Sequence, residues 1–458
     1  MEFITSMMLL LSFLYATLLS AKLVIRRRQQ TCYMIDYECY KGEEETTVNA
    51  ETCAKIALRN KNIDIEDLRF LLKVMVNSGQ GEETYGPKTI LLGKEPNLVD
   101  SISEIETIFF NTLDSIFARS KISPSNVDIL VVNVALLSVA PSLTSRIINH
   151  YNMREDIKAF NLTAMGCSAS VIAIDLVQHL FKTHKKKIAI VVSTATMSTH
   201  YYHGTERSMM ATNCAFRVGA CSVLLTNDPD WKDKAILKLK CLVRTHFAAN
   251  DEAYNCCMQQ EDCQGYEGIR LNKSLPKIAA QSLTKNLYTL LPKVLPLREI
   301  IRYIIFKSMD SKINLKTGID HFCIHPGGRA LIDKVGENLG LDEYDLEPSR
   351  MALYRFGHTS VGGIWYVLGY MEAKKRLKKG DKILMISVGA GVKANSCVWE
   401  VCRDLNGSNV WSDMIENYPL NKDAINPFLE KFGWINDKKF GMTSLTIAHV
   451  RNFLDNRP

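Results

Sequence analysis

The stretch Asn161-Leu-Thr-Ala-Met-Gly-Cys-Ser-Ala-Ser-Val-Ile-Ala-Ile-Asp-Leu-Val-Gln-His-Leu-Phe-Lys182 decides the fold. From Ser168 onward its apolar residues recur at helical spacing, and Gly166 allows a sharp turn into that helix. Short β-branched runs flank it, VDILVVNV at 127–134 and KIAIVVS at 187–193, each reading as a buried strand, with ACSVLLT at 220–226 as a third. After the charged region 227–240 the same order returns. Residues 320–325 read as a strand, 329–339 as a helix, about 359–378 as a second helix, and 382–387 and 394–401 as strands. Strands alternating with helices predict an α/β protein with largely parallel, doubly covered sheets. The similar order in the two halves points to an internal duplication.

Composition narrows the class. The chain has 458 residues, 47% hydrophobic and 23% charged, which supports a large core and excludes a disordered or low-complexity protein. Its net charge of +7 comes from 56 Lys and Arg against 49 Asp and Glu, spread without a basic arm, so nucleic acid is not an expected partner. Thirteen cysteines without a CxxC pair suggest reduced thiols rather than a disulfide scaffold or a zinc site.

The first thirty residues differ from the rest. FITSMMLLLSFLYATLLSA at 3–21 carries no charge over nineteen residues, a helix of roughly 28 Å, close to the thickness of the bilayer core. Lys22 and Arg26-Arg27-Arg28 follow it, and only Met1-Glu2 precede it. That polarity predicts an uncleaved anchor, spanning about residues 3–25, with the remainder in the cytosol, over a cleaved signal peptide. The later apolar stretch 287–306 is broken by Pro292, Pro296 and several charges, so it is not a second span. Ile300, Ile301, Ile304 and Ile305 fall on one side of a helix there, a core face or a surface that rests on a membrane.

Cys167 is the leading candidate nucleophile. A thiol at a helix N-terminus faces unpaired N–H groups and the positive end of the helix dipole, which favour the thiolate. His325 closes a strand and precedes Pro326-Gly-Gly-Arg329, a loop expected to leave its ring exposed at a sheet edge. His358 lies in Arg355-Phe-Gly-His-Thr-Ser360, just before a helix. Each histidine taken singly reads as an ordinary structural residue; the two together with Cys167 make a candidate thiolate-plus-base site. Gly389-Ala-Gly391 offers backbone N–H groups to an oxyanion, Gly389 and Gly391 being the candidates. No Walker A, HExxH or GxSxG motif is present.

At these residues the chain resembles the plant membrane-bound 3-ketoacyl-CoA synthases, condensing enzymes of the thiolase-like superfamily. The segments that carry the likeness are SGQGEETY at 78–85, NLTAMGCSA at 161–169, ERSM at 206–209, NCAFRVG at 213–219, VRTH at 243–246, HFCIHPGGR at 321–329 and RFGHTS at 355–360. The resemblance implies a layered thiolase-like fold of two pseudo-duplicated halves behind an N-terminal transmembrane helix. The expected divisions are an anchor at 1–30, a nucleophile-bearing half at 31–310, a second half at 311–402 with His325 and His358, and an extension at 403–458.

The resemblance further implies Cys167 as nucleophile and His325 as catalytic histidine, with His246 and His321 matching two further histidines at or near the site. Where the family carries Asn in an RFGNTS segment this chain has His358, and Tyr354 replaces a usual histidine. The implied reaction condenses a long-chain acyl-CoA with malonyl-CoA through an acyl-Cys167 intermediate, using no metal or other cofactor. The implied setting is the endoplasmic reticulum membrane with a cytosolic catalytic domain, a homodimer, and reductase and dehydratase partners in very-long-chain fatty acid elongation. The two departures keep open a weakened or non-catalytic subunit that binds acyl-CoA. A polyketide-type synthase is a third reading, disfavoured by the anchor.

Overall fold

Nine strands form the main sheet of the described residues: β1 (Tyr33–Cys39), β2 (Ile129–Val134), β3 (Lys158–Thr163), β4 (Ile188–Thr194), β5 (Ala220–Thr226), β6 (Leu237–His246), β7 (His321–Ile324), β8 (Lys382–Gly389) and β9 (Lys393–Val401). They hydrogen-bond in the order β3-β2-β4-β5-β1-β6-β9-β8-β7. The structure, a computed structural model, describes residues 31–198, 200–306, 313–420 and 426–432 and six isolated positions before residue 31. The anchor expected at 3–25, those positions aside, lies outside the described residues, as does most of the extension beyond 420. Among the described residues no helix is long and apolar enough to cross a membrane.

Strand directions repeat across the molecule. In one half β2 runs parallel to β4, and β5 runs antiparallel to β4. In the other β7 runs parallel to β8, and β9 antiparallel to β8. The halves join where Tyr33 and Met34 of β1 pair with Lys238 and Leu237 of β6. This repeat is the duplication that the order of elements suggested. The expectation of largely parallel sheets is corrected, because the sheet is mixed. A three-residue turn, Ala390–Val392, joins β8 to β9, and so short a link connects only antiparallel neighbours.

The helices that pack the core and the site include α1 (Ala50–Arg59), α2 (Ile65–Asn77), α3 (Leu98–Ser120), α4 (Ala169–Thr183), α5 (Arg207–Ala215), α6 (Leu275–Val294), α7 (Leu297–Phe306), α8 (Arg329–Leu339), α9 (Glu343–Phe356) and α10 (Gly363–Ala373). The period-2 alternation of the strands sorts them into layers. Ile129 and Val131 of β2, with Ile383 and Met385 of β8, face a core shared with Val171, Val177 and Phe181 of α4 and Ile364 to Leu368 of α10. Leu130 and Val132 point the other way, onto Ile105, Phe109 and Leu113 of α3. Leu384 and Ile386 point onto Leu283, Leu287 and Leu290 of α6. Helices therefore lie outside both half-sheets, and α4 and α10 lie between them.

That central position explains α10, whose residues Gly363 to Glu372 are all buried. The helix expected over 359–378 is shorter than its apolar pattern: Ser360–Gly362 form a 3-10 turn, and helix runs only through Gly363–Ala373. The stretch 287–306 belongs to α6 and α7, separated at Pro296, which cannot continue a helix.

Candidate active site

The site forms where the two central helices begin. After β3, Ala164 and Gly166 take left-handed backbone angles (φ 57° and 71°), turning the chain so that Cys167 comes just ahead of α4. Only glycine fits at 166. A Cβ there would collide with the backbone N of Ala390, so the 389–391 turn closes directly onto the Cys167 loop. Gly389 packs equally tightly against Ser168.

In the other half, His358 and Ser360 sit at the start of α10. The segment is pinned by two buried arginines. Arg355 Nη2 donates to Tyr85 Oη at 2.6 Å, and Arg217 Nε donates to Thr84 Oγ1 at 2.8 Å, while Arg217 N–H reaches the His358 carbonyl at 3.0 Å. The 78–85 stretch is thus a brace for this loop. Gly81 lies against the Tyr354 ring with its N–H on the Tyr354 carbonyl, so Tyr354 packs on the brace.

Cys167, His325 and His358 converge, with their donor-capable atoms all within 4.8 Å of one another. His358 Nε2 is 3.7 Å from Cys167 Sγ, and the two imidazoles meet edge to face with centroids 5.0 Å apart. The Ser360 backbone N–H donates to His358 Nδ1 at 3.0 Å. A ring nitrogen that accepts leaves the proton on the other, so His358 presents Nε2–H towards the sulfur. The spacing suits a metal, but this ring offers a proton instead of a lone pair, and a ligating histidine needs the reverse arrangement.

His325 was expected to be exposed; it is 2% exposed. Its strand is at the sheet edge, yet Pro326 folds back, and the start of α10 at Gly363 comes within contact distance of its ring. Both ring nitrogens are buried without a partner. Burial holds His325 well below the usual imidazole range, with His358 adding to the effect, and burial brings His358 down to about 4. Both rings are therefore neutral at physiological pH. Burial also pushes the Cys167 thiol up to about 11, opposed by Ser360, the residue's own backbone and the Lys393 cation.

Two cavities meet at the sulfur. One, of about 350 Å³, is lined by Cys167, Met197, Phe216, His246, Gly391 and Lys393. The other, of about 380 Å³, is lined by Cys167, His325, His358, Arg329, Leu275 and Gly389. Among the described residues neither lining holds a carboxylate. Through Met197, Phe216 and Ile269 the first adjoins a narrower, mostly apolar cavity of about 70 Å³ bordered by Ala57, Leu71 and Met75.

His246 lies exposed at the rim of the first cavity. His321 is not brought to the site. It begins β7, about 13 Å of strand before His325, bonds Asp381 at 2.9 Å and lines neither cavity that holds Cys167. Lys393, Ser360 and Cys257 were not picked out from sequence. Lys393 donates to the Ala390 carbonyl at 2.5 Å and faces the cavity beside Cys167; its place two residues after Gly391 was the available signal.

Comparison with known proteins gives the family. A family model described as FAE1/type III polyketide synthase-like protein matches residues 24–313. One for the C-terminal part of 3-oxoacyl-[acyl-carrier-protein] synthase III matches 312–401. The chain is 55% identical to 3-ketoacyl-CoA synthase 19 of Arabidopsis thaliana, covering 95% of this chain and 97% of that one. It is 50% identical to 3-ketoacyl-CoA synthase 3 of the same plant, covering 91% and 93%. The fold is similar to the C-terminal type III polyketide synthase domain of Steely1 from Dictyostelium, with TM-score 0.66 at 14% identity over 81% of this chain and 99% of that one. It is also similar to 1,3,6,8-tetrahydroxynaphthalene synthase from Streptomyces coelicolor, with TM-score 0.63 at 15% identity over 81% and 99%. An identity of half or more along nearly the whole length of these relatives goes beyond shared fold: the chain belongs to the 3-ketoacyl-CoA synthases, and is an acyltransferase of the condensing type.

Proposed function

We propose that the protein extends long-chain acyl-CoA by two carbons in very-long-chain fatty acid elongation, using malonyl-CoA and an acyl group carried on Cys167. The observation that carries this reading is the convergence of one thiol and two neutral imidazoles at the junction of two carboxylate-free cavities.

His358 already holds its Nε2 proton, so His325 is the group that accepts the Cys167 proton. The thiolate attacks the acyl thioester carbonyl; the C–S bond to CoA breaks, and the CoA thiolate leaves with the proton held on His325. Malonyl-CoA then enters. Loss of CO2 leaves an enolate, whose oxygen accepts from His358 Nε2–H and a ring N–H of His325. The enolate carbon attacks the acyl-Cys167 carbonyl, releasing 3-ketoacyl-CoA and regenerating the thiolate. Arg329, exposed at the start of α8, suits the phosphates of CoA, because a cation and a helix N-terminus both favour an anion. The acyl tail suits the wider cavity beside Cys167, with its end reaching the small apolar cavity beyond Met197 and Phe216.

On this reading the run at 3–21 anchors the chain in the endoplasmic reticulum membrane with the catalytic part in the cytosol. Separate reductases and a dehydratase complete the cycle. A second copy docks along β3, which ends the strand order and is largely exposed.

The test is incorporation of labelled malonyl-CoA by membranes from a host expressing the full chain, across acyl-CoAs of increasing length. The expected result is 3-ketoacyl-CoA from the natural chain and none from Cys167→Ala. A second reading, an acyl-CoA-binding subunit without chemistry of its own, draws on the raised Cys167 thiol and on His358 in the Asn position. It takes the lead if His358→Asn is active and the natural chain is not.

A further inference from the structure

Helix α7 is turned inside out for a surface helix. Ile301, Ile304 and Ile305 share one face at i, i+3 and i+4, and they are 41%, 66% and 61% exposed. The acid of the helix, Glu299, points the other way: it is 4% exposed, bonded by Arg302 Nε at 2.7 Å and by the Asn314 N–H at 2.7 Å. A helix packed in the ordinary way buries its isoleucines and shows its charge. Arg298 and Arg302 flank the isoleucine face on one side, and the neighbouring helix α6 adds Tyr288, 56% exposed, against Tyr303. Across residues 275–306 five cations, Lys277, Lys285, Lys293, Arg298 and Arg302, stand against Glu299 alone.

We propose that this face of α7, with Tyr288, lies in the headgroup and upper acyl region of an anionic lipid bilayer, as a second membrane contact besides the N-terminal run. An apolar stripe bordered by arginines and tyrosine is what that boundary accommodates: isoleucines among acyl chains, phenols at headgroup level, cations against lipid phosphates. A second copy of the chain fits less well, because a two-fold contact through this face would bring Arg298 of one copy towards Arg298 of the other. Leu275, on the cavity that holds Cys167, His325 and His358, lies about 20 Å along α6 from Tyr288.

This inference rests on the proposed membrane attachment, and the experiment separates the two. Full-length protein is reconstituted into vesicles with brominated acyl chains, with or without anionic lipid, carrying Ile304→Trp, Phe13→Trp or Val99→Trp. Val99 is 73% exposed on α3 and serves as the control. The expected result is quenching of the Ile304→Trp and Phe13→Trp emission but not of Val99→Trp, with Ile304→Trp quenched at least twofold more in anionic vesicles. Adding Arg298→Glu is expected to remove that lipid preference. Quenching at Phe13→Trp without quenching at Ile304→Trp overturns the docking face and leaves the anchor standing. Absence of quenching at both overturns both. Shielding of Ile304→Trp that follows protein concentration and ignores bromine assigns the face to a second copy and overturns the proposal.

Discussion

At Cys167 two opposing effects set reactivity. Burial pushes the thiol up to about 11, while Ser360, the local backbone and the Lys393 cation pull against it. With both histidines neutral, Lys393 is the cation facing this sulfur across the cavity, and His246 and Cys257 share its surroundings. Replacing it by Gln is expected to slow iodoacetamide alkylation of Cys167 several-fold at pH 8, with Arg restoring most of the rate; mass spectrometry of the Cys167 peptide checks this. His358 makes the complementary prediction. Its folded-state pKa of about 4 lies below the ordinary value of 6.5, so the unfolded chain takes up a proton that the folded chain refuses. Stability from this residue is complete above pH 6.5 and falls as pH drops towards 4, by about 2 kcal/mol at pH 5. A denaturation midpoint measured at pH 7 and pH 5 should therefore fall further in the natural protein than in His358→Asn. The identities of Cys167, His325 and His358 were readable from the sequence because each stands at a turn beside a helix or strand end. The proton position on His358 was not, because it depends on one backbone N–H, that of Ser360, and on the left-handed angle (φ 48°) that aims it. Nor was the burial of His325, since the element covering it, α10, comes more than thirty residues later.

The elements themselves were largely legible. The run at 220–226 forms β5 and the pattern at 329–339 forms α8 at those bounds, because apolar periodicity decides both. Strand direction was not, since a strand buried on both faces reads as a continuous apolar run whichever way it points. The turn into α4 is where local conformation bears on the proposed chemistry. Gly166→Ala would place a side chain at φ 71° and against the Ala390 backbone, a strain on the order of 1–3 kcal/mol. Relief is available only by moving the 389–391 turn or the Cys167 loop. The expected outcome is a lower melting temperature together with condensation reduced more than stability alone would account for. Ser168→Ala, at a neighbouring hydroxyl without a hydrogen-bond partner, is the mild comparison.

On the scale of the whole molecule, the duplicated half-sheets place the starts of α4 and α10 side by side, and that placement brings residues 167 and 358 together across 191 positions of chain. The helices α1, α2 and α5 lie outside this repeat and build the narrow cavity beyond Phe216, walled by Ala57, Leu71, Met75 and Cys214. If the acyl tail extends there, chain length is set by these helices, while the chemistry is set by the duplicated core. Ala57 is 6% exposed on α1 with the cavity in front of it, so Ala57→Leu adds three carbons to the far wall without touching the Cys167 cluster. In an apolar pocket one methylene of misfit costs on the order of tenfold or more in kcat/KM. Ala57→Leu is therefore expected to lower kcat/KM by at least that factor for the longest acyl-CoA the natural enzyme accepts, and to leave shorter substrates and the rate of Cys167 alkylation within about twofold. A uniform loss across all chain lengths would show that the tail does not reach α1, and would confine it to the wider cavity beside Lys393.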